Sequence, residues 1–384
     1  MSLPKNMSIS LAVLAAGALG FWGWKTTNRD EASPGGTIAE TLRHPDHHAV
    51  RGDSITPAFA ALNGKPATGE VRKTLLDLHS SLAAMPKDEA LALIRTFLES
   101  GNDRPTGLSF ELAKDGSLTE WPTFRTFLLD ALLAIDPAAA AAIGREILTM
   151  PTTPDEWALA LRNVARGEPL EESANFLRRK TEELITNPTW QAEPSIGYLN
   201  AFDVLVHIES TDSAPLLSDL VQRKDRKDLA HAGFLTLDRL VQRQPADVLT
   251  RLASDRALQQ SRPEMVAQQF ARADLRDPAQ QLIAKAWLLD PARTPVELRS
   301  FAGVYPNNNR FISNNLLTQE SSQSGDDLAA HDREALQTIS SWAADPAFQP
   351  VRETLDLIIS RLEGFVSTRE TSSSPDPPVS PPPR

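Results

Sequence analysis

Residues 43–53 read RHPDHHAVRGD and set His44, His47 and His48 around Asp46. Imidazoles and a carboxylate at this density are a donor set for Zn²⁺, Ni²⁺ or Cu²⁺. His44 and His48 are four apart and would share one face of a helix. Pro45 works against that geometry, because its ring disfavours helical dihedrals at the residue before it. A structural metal site needs its ligands held in place, and the flanking Gly52 and Pro57 are linker residues. His44, His47 and His48 therefore read as an adventitious metal binder within a tether, titrating near free imidazole, and no cofactor is assigned.

Carboxylate pairs are the second chemistry. Glu171/Glu172, Glu182/Glu183 and Glu209/Asp212 are close in sequence. A shielded glutamate with a raised pKa, set in a groove, would serve as the acid of a glycan-cleaving enzyme. Adjacent glutamates on a helix point about 100° apart and normally face solvent.

The third feature is amide-rich. VYPNNNRFISNNLLTQ, residues 304–319, carries Asn307, Asn308, Asn309, Asn314 and Asn315. Clustered asparagines cap helices and occupy turns; set in a groove, the same amides would bind a glycan or a peptide backbone.

Other routes to catalysis close quickly. There are no cysteines, which removes disulfides, thiolate nucleophiles and zinc–thiolate sites. No glycine-rich phosphate loop, G-x-S-x-G elbow, H-E-x-x-H pair or EF-hand loop occurs. His79, His207, His231 and His331 stand singly in helical stretches. A formal charge of −11 argues against nucleic acid as a partner, since such proteins need a basic face to displace counterions.

The elements that must position these groups start with the N-terminus. Residues 8–24, SISLAVLAAGALGFWGW, hold no charge and rise to roughly 26 Å as a helix, enough for a short membrane span. Trp22 and Trp24 suit the headgroup boundary. The reading is a signal anchor, with residues 1–7 cytoplasmic and the bulk of the chain outside a bacterial inner membrane. The alternative is a signal peptide cleaved at Ala16-Gly17-Ala18, giving a secreted protein. Ser8, Ala12, Ala16 and Gly20 form a small-residue stripe of the kind that lets two membrane helices pair, a route to a homodimer.

Residues 25–69 read as a linker with one short helix near 57–62, because Pro and Gly recur through them. Helical periodicity begins with Val71, Leu75, Leu78 and Leu82. A small β-hairpin is expected near 107–120, around the Asp115-Gly116 turn. Helices then follow to about residue 365, punctuated by Asp-Pro-Ala at 136–138, 277–279, 290–292 and 345–347. Proline there ends one helix or fills the first turn of the next, where its missing N–H costs nothing. Helices this short cannot bury their apolar faces alone and must stack in pairs. Residues 366–384 lose apolar content and end in a Pro/Ser-rich tail, read as disordered.

Residues 336–362, LQTISSWAADPAFQPVRETLDLIISRL, resemble a HEAT repeat: an apolar helix closed by Asp345-Pro346, then Val351-Arg352 opening a second helix with Leu355, Ile358 and Leu362. Residues 216–241 are similar in outline without the Asp-Pro and Val-Arg pairs. The resemblance implies an all-α superhelix of stacked helical hairpins over 70–365, used for protein contacts, and implies no chemistry. The function expected is a membrane-tethered extracytoplasmic scaffold for an unidentified protein partner; the alternatives are the glycan-acting enzyme and the asparagine-lined binding module.

Overall fold

The computed structural model describes residues 53–64, 66–321 and 324–372. The histidine cluster at 44–48, the anchor at 8–24 with Ala12, Ala16 and Gly20, and the tail beyond 372 lie outside them. Among the described residues no helix is long and apolar enough to cross a membrane.

Three helices open the fold: α1 (Ile55–Ala61), α2 (Thr68–Ala84) and α3 (Lys87–Glu99). Val71, Leu75, Leu78 and Leu82 of α2 are all buried, the face that their spacing predicts. Helix α1 lies inside the stretch read as linker, yet Ile55 and Leu62 join the core. Phe59 explains the attachment: its ring meets Phe97 at 5.0 Å and Phe124 at 5.3 Å.

Next comes the expected hairpin, β1 (Glu111–Leu112) and β2 (Leu118–Glu120), antiparallel around Asp115-Gly116. It is followed by α4 (Phe124–Ile135), α5 (Pro137–Ile147), α6 (Pro154–Gly167) and α7 (Leu170–Thr186). Helix α6 is buried continuously from Glu156 to Ala165, although Arg162 and Asn163 belong to the side its sequence would give to solvent. The hairpin and α4 cover them: Asn163 Nδ2 donates to the Leu129 carbonyl at 2.9 Å. Arg162 Nη1 donates to Asp130 at 2.6 Å and to the Gly116 carbonyl at 2.9 Å, and Trp121 Nε1 donates to Asp130 at 2.8 Å. A buried guanidinium is acceptable only when paired in this way.

Gly116 has a φ of +77°, a backbone state that side chains disfavour. An added Cβ would also overlap the Leu316 carbonyl and the Arg166 guanidinium. Gly116→Ala is therefore expected to destabilise the fold by about 2–3 kcal/mol, read as a lowered urea midpoint. An unchanged midpoint would show that the hairpin tip does not seat there.

The chain continues through α8 (Pro188–Ala192), α9 (Ile196–Asn200), α10 (Asp203–His207), α11 (Ala214–Val221), α12 (Lys227–Arg243), α13 (Pro245–Ser254), α14 (Arg256–Ser261), α15 (Pro263–Phe270), α16 (Pro278–Leu289), α17 (Pro295–Val304), α18 (Gly325–Ala344) and α19 (Arg352–Ser372). Two 3-10 turns, Thr211–Ser213 and Pro346–Val351, complete it. Both stretches that resemble a HEAT repeat fold as packed helix pairs, α11 with α12 and α18 with α19. Helix α19 runs to Ser372, through the first residues of the stretch read as tail.

The Asp-Pro-Ala junctions share one local device. At each of the four, the aspartate Oδ1 accepts the N–H of the alanine two residues on, at 2.8–2.9 Å. Asp136 and Asp277 thereby start α5 and α16; such a cap is worth about 1 kcal/mol. The same turn at Asp345 opens a 3-10 segment, and at Asp290 only a turn.

Between α17 and α18 the chain runs irregularly from Tyr305 to Ser321, a strap that grips elements remote in sequence. Its start is seated by a column of rings: Phe270 stacks on Trp287 at 4.7 Å, Trp287 meets Phe301 at 5.5 Å, and Phe301 stacks on Tyr305 at 5.1 Å. At its far end the Asp203 carboxylate accepts from Leu317 N at 2.7 Å, Thr318 N at 2.8 Å and the Thr318 hydroxyl. In between, Asn314 Nδ2 donates to the Leu112 carbonyl at 2.7 Å and Gln319 Nε2 to that of Lys114 at 3.0 Å. A chain of stacked repeats has contacts only between neighbours; the strap adds contacts of much longer range.

Candidate functional site

The strap roofs a cavity of about 470 Å³. Its walls come from Val241 and Gln242 at the end of α12, Pro245 at the start of α13, the α15–α16 connection with Arg272, Asp274 and Arg276, Gln280 of α16, the strap, and α18 with Asp327 and His331. The lining is mostly polar, unlike the apolar pockets that hold most small ligands.

Asp238 is the foundation. It is 1% exposed, and four donors converge on it: Arg272 Nε at 2.8 Å and Nη2 at 3.1 Å, Gln269 Nε2 at 2.9 Å and Gln242 Nε2 at 2.9 Å. Arg272 spans the gap from this carboxylate to the strap, where its Nη1 donates to the carbonyls of Asn307 at 3.1 Å and Asn309 at 2.7 Å. A bidentate guanidinium is suited to this because its fork fixes direction as well as charge. Asp238 also orients the Gln242 amide with its nitrogen inward, and among the described residues the buried Oε1 has no partner.

The asparagines divide by position. Asn307 and Asn308 line the cavity. Asn307 Nδ2 donates to the Gln268 carbonyl at 3.2 Å, and Asn308 Nδ2 lies 3.3 Å from His331 Nδ1. Asn309 is exposed and contributes its carbonyl to Arg272. Asn314 reaches the hairpin, and Asn315 is buried, accepting from Ser313 Oγ at 2.9 Å while its Nδ2 has no partner. None of the five stands at a helix cap, the role their residue type favours most. Asn307, Asn308 and Asn309 hold the strap to α15, α18 and Arg272, and Asn314 holds it to the hairpin.

The charges in the cavity are largely spoken for. Arg276 pairs with Asp274 at 2.6 Å and Glu334 at 3.4 Å. The hydrogen bond from Arg276 holds the Asp274 carboxyl below the usual range, so this group is an anion and not a proton donor near neutrality. Among groups with a resolved shift, Asp155 is the carboxyl pushed upward by burial. It lies away from the cavity, tying α9 to α6 through Ser195 and the Gly197 N–H at 3.0 Å. Glu171, Glu172, Glu183, Glu209 and Asp212 are exposed and Glu182 half-buried; the fully buried Glu156 and Glu297 are each paired with an arginine. Among the described residues, the acids that line the cavity are Asp274, half-buried, and Asp327, exposed. Among the described residues no group of three or more metal-ligating side chains converges.

His331 closes the wall. Its Nδ1 lies 3.3 Å from Asn308 Nδ2 and its Nε2 3.8 Å from Asp274 Oδ1. Burial holds His331 below 6.5 despite that carboxylate, and holds His207 and His231 down in the same way. A histidine whose folded pKa is depressed contributes stability that is complete above its unfolded value and is lost as pH falls through the folded one. The urea midpoint should therefore be lower at about pH 5.5 than at about pH 7.5. The triple variant H207Q/H231Q/H331Q should flatten the dependence; equal wild-type midpoints would show that the three rings are not desolvated.

Asp238, Arg272, Arg276, Arg310 and His331 escape a sequence reading that follows the asparagines. Asp238 lies inside a helix-pair stretch and gives no local sign of its partner. His331, which stands singly in its helical stretch, is half-buried, and only the fold brings it to Asn308. No protein-family model matches the chain, and neither the curated proteins nor the solved structures give a match.

Proposed function

We propose that this chain is a membrane-tethered, extracytoplasmic interaction module, in which HEAT-like helix pairs form a superhelical body that offers the strap-roofed cleft to a polypeptide partner. The observation that carries the reading is the cleft itself. Irregular segments of this length within a compact fold are usually binding elements, and this one is held by buried charge, a cost that shape alone would not require. The tether is the uncharged run 8–24, inserted once in the bacterial inner membrane with the body on the periplasmic side; cleavage after Ala18 would release the same body as a secreted protein. Nucleic acid is not the partner, given the charge of −11. A homodimer through Ala12, Ala16 and Gly20 would present two clefts.

Asn307 and Asn308 in the lining keep a second reading open, a glycan as ligand. Their amide nitrogens are already turned to Gln268 and His331, which favours the polypeptide. In intact cells, protease added outside the inner membrane should digest the body while the membrane-embedded fragment survives; a body protected until lysis removes the tethered periplasmic reading. For the second half, a photo-crosslinker at Asn308 should form a discrete adduct with a cellular protein that the same probe on exposed α2, at Leu76, does not form. Absence of any such adduct would count against an interaction module.

A further inference from the structure

We propose that the lip of the cleft, Arg310-Phe311-Ile312, docks an extended segment of a partner protein in which a carboxylate side chain lies beside a bulky apolar one. This rests on the interaction-module reading above and specifies the ligand chemistry.

Three arginines line the cavity, and two are committed: Arg272 to Asp238 and the strap, Arg276 to Asp274 and Glu334. Arg310 is different. It is exposed, its Nη1 reaches only the Ser321 carbonyl at 3.4 Å, and among the described residues no acidic side chain pairs with it. Its remaining donors form a planar fork that fits a carboxylate.

The next two residues supply the apolar half. Phe311 is 49% and Ile312 62% exposed, whereas Tyr305 and Leu316 of the same strap are wholly buried. The Phe311 ring lies edge-on to Phe234 of α12, with centroids 6.3 Å apart, so the surface is a supported shelf. The main chain adds a third component. Residues 310–314 are all exposed, and among the described residues none of their N–H groups has an acceptor. On either side the strap is pinned, by Arg272 at Asn309 and by Asp203 at Leu317. An open stretch of main chain fixed at both ends pairs with an extended peptide at little entropic cost.

An arginine beside exposed Phe and Ile is also what an interfacial membrane contact offers. The chain's charge of −11 opposes an anionic bilayer, with its many like charges, more than a peptide that brings one carboxylate to Arg310, and the half-exposed Phe311 ring rests edge-on against Phe234. Both observations favour the acidic, apolar peptide.

The test is selection of a random peptide library displayed on phage against the full chain in detergent micelles. Enriched peptides are expected to carry Asp or Glu within two residues of a large apolar side chain. For such a peptide, Arg310→Ala should weaken binding about tenfold, as should the peptide's own Glu→Gln change, and the pair F311S/I312S should do the same; Arg310→Lys should fall between. Arg310 and Ile312 are exposed, so Arg310→Ala should leave the urea midpoint in place, and F311S/I312S should lower it only by what the Phe311–Phe234 contact contributes. Enrichment without acidic residues, affinity unchanged in Arg310→Ala, no enrichment at all, or Arg310-dependent sedimentation with phosphatidylglycerol vesicles would each overturn the inference. The Asn308 crosslink separates the two levels: an adduct that persists in Arg310→Ala leaves the interaction module standing without this anchor.

Discussion

Asp238→Ala is expected to lower the stability of the fold by about 3–5 kcal/mol, the range for stripping one partner from a buried ion pair. The carboxylate is 1% exposed and takes four hydrogen bonds. Its loss leaves the Arg272 guanidinium, 6% exposed, with only the carbonyls of Asn307 and Asn309 as acceptors. The strap should loosen at that end, and ligand binding at the cleft should be lost in the same variant. Urea unfolding checks the first effect. The informative control is the double variant D238L/R272L, which removes both charges and is expected to recover most of the loss. If Asp238→Ala costs less than about 1 kcal/mol, the pair is not what holds the cleft floor.

Asp203→Ala should act at the other end of the strap and cost about 3–4 kcal/mol. Two main-chain N–H groups, at half-buried Leu317 and buried Thr318, and the Thr318 hydroxyl would lose their acceptor. Arg239 Nη1, 3.7 Å from the same carboxylate, would lose its nearest charge. Hydrogen exchange distinguishes this from a general weakening. The amides of Leu317 and Thr318 should exchange much faster, while those within α4 and α6 slow or speed only with global stability. Uniform acceleration across the molecule would mean that the strap does not open as a separate unit.

Part of this was legible before any coordinates. The spacing of Val71, Leu75, Leu78 and Leu82 gives the buried face of α2, because a helix repeats its sides every three to four residues. Asp115-Gly116 gives the hairpin turn, and the stretches 216–241 and 336–362 give helix pairs. The linker reading of 25–69 missed the docking of α1, since Phe59 finds Phe97 and Phe124 only in three dimensions. The residue type of the asparagines points to caps and turns or to a polar groove; Asn307 and Asn308 line the cleft, Asn314 reaches the hairpin, and Asn315 bonds within the strap.

The Asp-Pro-Ala junctions show where the boundary lies. By itself the sequence determined the local turn, since the aspartate and the N–H it accepts are two residues apart, and all four junctions make it. A helix follows at 136 and 277, whereas Pro295, five residues after Asp290, and Pro350, five after Asp345, bar one by the same short-range chemistry. The cleft lies wholly on the far side of that boundary. Asp238 meets Arg272 across 34 residues, and Asn314 meets Leu112 across 202. Short-range preferences fix backbone dihedrals one turn at a time. A buried charge is stable only where the folded chain delivers its counter-charge, and that delivery is decided by the tertiary structure alone.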